Sequence, residues 1–515
     1  MARRPSARQA KLKERKAALS VDLRPVRAGQ TGGHYKPLSE ADAETIIETV
    51  YQILEEVGFA DATEHCIETC VKVGAQFGDD GRLRFPRQVI ADTLNKCQRN
   101  LTLYAQDPRH DLDLSGSRVH FSTAGAAVMV VDPVTGEYRE SKGQDLYDMA
   151  RITNHCEHLH MFQRTCVARD ITDNREMDIN TTYNCIMGTT KHIGCAWNDP
   201  AHLKECFEML HMVAGSEEAW RERPFMSISC CHVVPPMKFT EDALNCLKLA
   251  VEGGMPVLLL SAGQSGATAP ACLAGAVAEA WAECLGGLAY VNAINPGAPA
   301  ILGTWPFVSD LRTGAMSGGS PEQALLSATC SQIGNMFDLP TGTACGMTDS
   351  KMLDYQAGAE RAYTLNCAAT SGANIVYESA GMYASLLGTC PESLLLDNDT
   401  LGAVMRITRG IEVNAKTLSL DDIKDVCFGN KGHYLGSSRT LEVMQTEYLY
   451  PELGDRLSPD DWNDAQRPDP VRLAIQKTRD LLNNDFPDHI SDEIDRQIRE
   501  RFPIHLSREA IGRTP

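Results

Sequence analysis

Apolar residues recur along this chain at two spacings, and the switch between them divides it. From Ser39, placed to cap a helix with Asp42 in the box position, Ile46, Ile47, Val50, Ile53, Leu54 and Val57 fall on one helical face, and Gly58 stops the run. A second helix is expected over 64–73. Short strands follow near 82–85, 101–104, 118–122 and 127–131, and the stretch 132–136 (DPVTG) reads as a turn. From about residue 143 helical stretches alternate with short apolar strands near 158–168, 190–196, 225–231, 256–261, 288–293 or 300–303, 339–344 and 374–378. The eighth strand has only weak candidates, at 404–413 and 416–418. This rhythm over about 280 residues predicts an α/β fold, a (β/α)8 barrel of the TIM type. A doubly wound sheet is the alternative, but no G-x-G-x-x-G follows a first strand.

The expected organisation is therefore a flexible basic N-terminal tail (1–37), an N-terminal α+β cap (38–140), the barrel (141–420) and a C-terminal wrap (421–515). After Leu420 the pattern becomes irregular, with a glycine-rich turn at 429–433. Amphipathic helices are expected near 471–483 and 491–502. Residues 1–27 carry nine Lys or Arg against Glu14 and Asp22, which suits a solvated tail better than a basic arm for an acidic partner or a neighbouring subunit, or a transit peptide.

Composition narrows the class. A chain of 515 residues with 43% hydrophobic content can bury a large core, and its 40 glycines suit many tight turns. A net charge of −19 argues against bulk binding of nucleic acid. No apolar run approaches the ~20 residues of a spanning helix, and the N-terminus has no apolar signal region. The eighteen cysteines form no C-x-x-C and often lie in apolar runs, as reduced thiols do. A cytoplasmic location is expected.

The chemistry concentrates where consecutive strands end. Trp305 and Phe307 follow the apolar 300–302; Cys345, Thr348, Asp349 and Lys351 follow 339–344; Tyr377 and Glu378 close 374–376. In a parallel barrel these ends converge on one face. Trp305, Phe307, Tyr355, Tyr363, Tyr377 and Tyr383 crowd this stretch although the chain is only 6% aromatic. Ring faces around a cavity suit a quaternary ammonium, whose charge has no N–H to hydrogen-bond, and Arg312 or Lys351 is then placed to hold a carboxylate at the other end. Other chemistries fit less well. His155, Cys156, His158 and His160, with His192, Cys195, Cys230, Cys231 and His232 later, lack a zinc-site spacing. No G-x-S-x-G nucleophile elbow occurs, and 318–322 (GGSPE) reads as a loop in which Ser320 caps a helix with Pro321 at its first position.

Residues 310–322 (DLRTGAMSGGSPE), Leu339 and Pro340 leading to 346–351 (GMTDSK), 354–358 (DYQAG), 371–374 (SGAN), Arg406, Arg409, Gly410 and 432–436 (GHYLG) together resemble the trimethylamine methyltransferase family of corrinoid-dependent methyltransferases. The likeness runs from about residue 38 to 450. It implies a (β/α)8 barrel that moves a methyl group from an amine to the cobalt of a corrinoid (cobalamin) carried by a separate protein, with no cofactor bound in the chain itself. The founding branch of that family uses pyrrolysine, read from an in-frame amber codon, to handle a tertiary amine. Here 339–351 reads in standard residues, so the chain is more similar to members without pyrrolysine, among them a glycine betaine methyltransferase. A quaternary amine such as glycine betaine is the expected substrate, since its departing tertiary amine is neutral and needs neither acid nor metal.

On this reading Trp305, Phe307, Tyr355, Tyr377 and Tyr383 form the cage, Arg312 and Lys351 hold a carboxylate, and Asp349, Gln356 and Glu378 position the substrate by polar contacts at the catalytic centre. A corrinoid protein is the expected partner, self-association is expected, and no metal, nucleic acid or membrane is. A methyltransferase for another methylated amine or a thioether, or a betaine-binding protein without catalysis, are the rival readings.

Overall fold

A computed structural model describes residues 19–429 and 432–514. Its centre is a curled nine-stranded sheet in which eight strands run parallel. In chain order these are β1 (Arg118–Phe121), β2 (Met161–Gln163), β3 (His192–Cys195), β4 (Met226–Cys230), β5 (Val257–Ser261), β6 (Ala300–Thr304), β7 (Thr341–Ala344) and β8 (Ile375–Tyr377). Each is followed by a helix: α1 (Gly143–His155), α2 (Asn174–Gly188), α3 (Pro200–Ala214), α4 (Glu241–Glu252), α5 (Leu273–Ile294), α6 (Pro321–Phe337), α7 (Tyr355–Thr370) and α8 (Ser393–Arg409). Neighbours run β1-β8-β7-β6-β5-β4-β3-β2, and Gln30–Thr31 pairs antiparallel with the first half of β1. The ends of the run also meet. His160 N donates to Phe121 O at 2.8 Å, and Ser122 bridges Met161 in parallel.

Local signals explain the elements. Ser39 Oγ accepts from Asp42 N, so the first long helix (Glu40–Gln52) starts where its cap lies; one π-helical turn (Ile53–Val57) carries it to Gly58, whose φ of 64° ends it. Ser320, with Pro321 behind it, caps α6 in the same way. The N-terminal helices pack on α5, which is therefore buried between them and the sheet and apolar all round.

Four expectations are corrected. The missing strand is β1, which the sequence placed in the cap. It is cut off from the repeating part by residues 122–142, whose own pair Met129–Val131 and Tyr138–Glu140 breaks the strand–helix rhythm. The candidate at 404–413 lies mostly in α8, where Leu394, Leu401, Val404, Met405 and Thr408 are buried at helical spacing, and 416–418 forms no strand. Residues 288–293 lie in α5, leaving 300–304 as the strand. Finally, the later part of the tail is packed: Gln30–Thr31 joins β1, and Gly33, His34 and Tyr35 all donate their N–H groups to Thr370 O. Residues 1–18 of that tail, and Asn430 and Lys431 of the turn at 429–433, lie outside the described residues.

The two amphipathic helices at the C-terminus are Pro470–Asn484, on α1 and α8, and Asp492–Arg501, on α3. Asp495 is fully buried and takes hydrogen bonds from Tyr183 (2.6 Å), Arg499 and Arg508 (both 2.9 Å), tying the terminus to α2. All eighteen cysteines are free thiols. Among the described residues no helix is long and apolar enough to cross a membrane.

Candidate active site

Strand alternation decides which side chains enter the sheet's concave interior. On β7 and β6 the inward positions include Gly342 and Gly303. A Cβ on Gly342 would stand 2.6 Å from Tyr377 Cε2, so the Tyr377 ring occupies space that only glycine leaves. Trp305, one residue past β6, lies against that ring at a centroid distance of 5.4 Å and 43°. Phe307 adds a third face, 6.3 Å and 65° from Trp305. The three are nearly closed off, Tyr377 fully and Trp305 at 8% exposure.

Two donors in this aromatic wall are unused. Trp305 Nε1 and the Tyr377 hydroxyl are buried with no hydrogen-bond partner among the described residues. Stranded buried donors cost about 1–3 kcal/mol each, a debt that a bound acceptor would relieve. Burial also pushes the Tyr377 phenol well above its ordinary range, so it stays protonated.

Glu378 follows directly. It takes the left-handed φ of 60°, unusual for a residue with a side chain, and this turn swings its carboxyl beneath the 122–126 loop. Both of its oxygens lie 3.0 Å from Gly125 N. Burial pushes the carboxyl up to about 8, against a smaller lowering by the Gly125 N–H. In the free protein at neutral pH it is therefore mostly the uncharged acid. Gln163, at the end of β2, lies on the same glycine: a Cβ on Gly125 would be 3.1 Å from both Gln163 Cγ and Glu378 Oε1. Gln163 donates through Nε2 to Ser229 Oγ at 2.8 Å, while its Oε1 is buried without a partner.

The structure thus brings Trp305, Phe307, Tyr377 and Glu378 together and places the other sequence candidates elsewhere. Tyr355, first residue of α7, is 90% exposed. Tyr383 is buried but occupied: Arg361 lies over its ring at 4.3 Å and donates to its hydroxyl at 2.8 Å. Arg312 is exposed and pairs with Asp310 at 2.7 Å, two residues away. Lys351, also exposed, bonds to the backbone of Asp349. Gln356 donates to Glu360 on the outside of α7. Asp349 pins three loops by accepting from Ser317 Oγ (2.6 Å), Gly318 N (2.7 Å) and Ser385 Oγ (2.7 Å). These groups share the loop region but spend their polar atoms on one another. The histidines are likewise engaged, His160 with Phe121 N, His192 with Ser227 Oγ and His232 with Glu283 O. Among the described residues no group of three or more His, Cys, Asp or Glu is arranged to hold a metal.

Sequence reading missed Gln163 and Ser229. The signal available was a polar residue inside an otherwise apolar strand, and the run at 158–168 was read too broadly to show where β2 ends.

The chain is similar to known proteins over almost its whole length. Residues 3–505 match the family described as trimethylamine methyltransferase (MTTB). A glycine betaine methyltransferase of Desulfitobacterium hafniense (strain Y51) is 27% identical over 472 residues, covering 92% of this chain and 97% of its own. A trimethylamine methyltransferase MttB of D. hafniense (strain DSM 10664 / DCB-2) is 27% identical over 462 residues, 90% of this chain and 92% of its own. Among solved structures, a dihydropteroate synthase of Xanthomonas albilineans superposes with a TM-score of 0.37 at 10% identity, covering 61% of this chain and 100% of that one. The family match takes in every element that builds the aromatic wall, and with it the conclusion is direct: this chain belongs to the trimethylamine methyltransferase family and is a methyltransferase.

Proposed function

We propose that the protein takes a methyl group from a small quaternary amine, glycine betaine or a close relative, and passes it to the Co(I) of a corrinoid held by a partner protein. We also infer that the contacts between β1 and β2 close the sheet into a (β/α)8 barrel with the site at the C-terminal ends of its strands. The observation that carries the functional reading is the wall of Trp305, Phe307 and Tyr377 beside the buried Glu378, in a chain whose relatives include a glycine betaine methyltransferase.

The residues fit that task. Aromatic faces attract a quaternary ammonium through their quadrupoles, by about 0.5–2 kcal/mol each and more when water is excluded. Glu378 adds a full negative charge once the cation lowers its pKa. The near-complete burial of the wall keeps bulk water from its ring faces. Reduced cobalt supplies the nucleophile, and the displaced amine leaves neutral. The chain's work is then desolvation and alignment.

The test is a methyl-transfer assay with purified protein and a Co(I) corrinoid protein across a panel of methylated amines and thioethers. Methyl-Co(III) should form with glycine betaine or another quaternary amine. Formation only with tertiary amines would favour the activity named for the trimethylamine relatives, and formation with none would leave a binding role.

A further inference from the structure

The chain between α8 and the C-terminal helices holds a segment with no interior. From 411 to 450 no described residue is buried, although a helix at Leu420–Phe428 and a shorter one at Ser438–Val443 lie within it. Polar ties hold it together and fix it to the body. Arg439 pairs with Asp422 across the two helices at 3.5 Å, Lys416 pairs with Glu442, and Glu447 receives Arg406 (3.2 Å) and Arg409 (2.7 Å) from the end of α8. Its apolar side chains are left in solvent. Ile411 is 88% exposed, Phe428 86% and Leu435 81%. Leu420, Ile423 and Cys427 recur at helical spacing, the pattern of a covered face, and all three are exposed.

The area is that of an interface. An aromatic side chain offers about 150–250 Å² and an aliphatic one about 60–120 Å². Weighted by exposure, the eleven exposed large hydrophobic side chains of the segment offer about 650–1,150 Å². The largest apolar patch on a typical monomer is about 300–600 Å², whereas a stable protein–protein interface takes about 800 Å² from each partner.

The segment's place in the fold indicates its occupant. α8 runs back from the C-terminal ends of the strands. Asn398, in its first half, accepts from His158 N just ahead of β2, and Arg409, at its end, donates to Pro25 O. Pro25 leads directly to Gly29, whose N–H meets Val119 O in the first half of β1. The segment that follows α8 therefore lies towards the N-terminal ends of the strands, away from Trp305, Tyr377 and Glu378 at the C-terminal ends of β6 and β8. On the function proposed above, a corrinoid protein must approach those C-terminal ends, so it is not the occupant. Residues 1–18 fit poorly by composition, with Met1 and Leu12 as their large hydrophobic residues. An anionic membrane surface selects basic segments, and here six Asp or Glu stand against four Lys or Arg. A second copy of this chain brings the same apolar surface and leaves both sites open.

We propose that the segment 411–450 is the surface on which two copies of this chain associate, with Phe428 and Leu435 among the side chains covered. The choice of a second copy over the corrinoid protein rests on the function proposed above.

The test is sedimentation velocity of the full-length parent, Phe428→Glu and Leu435→Glu over a range of protein concentrations. The parent should sediment as a dimer or a multiple of one. A charge placed in a covered apolar contact should raise the dissociation constant of the pair by about 30-fold or more. Quaternary-amine binding by each chain should not change, and thermal melts report whether each variant keeps its fold. Cys427, exposed beside Phe428, gives a reading without substitution: its alkylation in the parent should slow as concentration rises into the dimer. A monomeric parent, folded variants that keep the parent's association, or alkylation of Cys427 at one rate throughout would overturn the assignment. So would variants of unchanged mass that methylate the corrinoid protein more slowly, since the surface would then belong to that partner. Mass does not depend on methyl transfer, so a parent that dimerises through this surface but transfers no methyl group would count against the proposed function alone.

Discussion

Glu378 gives the molecule a pH signature with a definite sign. Its pKa in the folded protein, about 8, lies above its ordinary value of 4.5. The acid form therefore adds stability that is fully present below about pH 4.5 and is lost as pH rises through about 8, with a slope approaching 1.4 kcal/mol per pH unit between them. Denaturant unfolding across that range should show the decline, and Glu378→Gln should flatten it. Ligand binding runs the other way. A quaternary amine prefers the carboxylate, so its affinity should climb with pH towards about 8 and then level off, a dependence that Glu378→Gln removes. A parent protein whose affinity is flat from about pH 6 to about 8 would place the cation away from Glu378.

Trp305 tests the wall itself. Trp305→Ala should weaken quaternary ammonium binding by about 1–2 kcal/mol, roughly five- to thirtyfold, and Trp305→Phe should restore part of it. Truncating a buried Trp can also cost ~3–5 kcal/mol of stability, so melting curves are compared first. If a folded Trp305→Ala binds as tightly as the parent, the indole is packing and the cation sits elsewhere. At this scale the residues that the sequence set side by side lie at or just past the ends of recognisable strands: Trp305, Phe307, Tyr377 and Glu378. Tyr355 and Tyr383 misled because aromatic character alone does not say which way a loop residue faces. One is in solvent and the other is stacked under Arg361.

Among the elements, β7 matters for what it omits. Gly342→Ala places a methyl 2.6 Å from the Tyr377 ring, inside van der Waals contact, and Leu258 Cδ1 at 3.3 Å limits the escape. The ring must turn away, which should cost about 1–3 kcal/mol of stability and loosen ligand binding with it. Unchanged melting and affinity would show that Tyr377 has other room. The C-terminal helices carry a separate load. Asp495→Asn leaves Arg499 and Arg508 without their shared buried carboxylate, and should lower stability by about 3–5 kcal/mol without altering the ligand preference of the remaining folded protein. Seven of the eight parallel strands and both C-terminal helices were legible from periodicity, since each repeats a pattern its neighbours share. β1 was not. It stands apart from the repeating units, and its place is set by pairing with β8, a contact more than 250 residues away in the chain.

For the molecule as a whole, the sheet order sets the aromatic wall at β6 and β8 and Gln163 at β2 on either side of the same strand ends. Neither composition nor motif spacing shows that convergence, because it depends on sheet order. On the function proposed above, this arrangement serves a quaternary ammonium. The direct measurement is the spectral conversion of a Co(I) corrinoid protein to methyl-Co(III) with glycine betaine and with trimethylamine supplied in parallel, while the demethylated product is quantified. Rapid conversion is expected with glycine betaine, with one dimethylglycine for each methyl-Co(III), and essentially none with trimethylamine. Conversion with trimethylamine at an equal or higher rate would contradict that function.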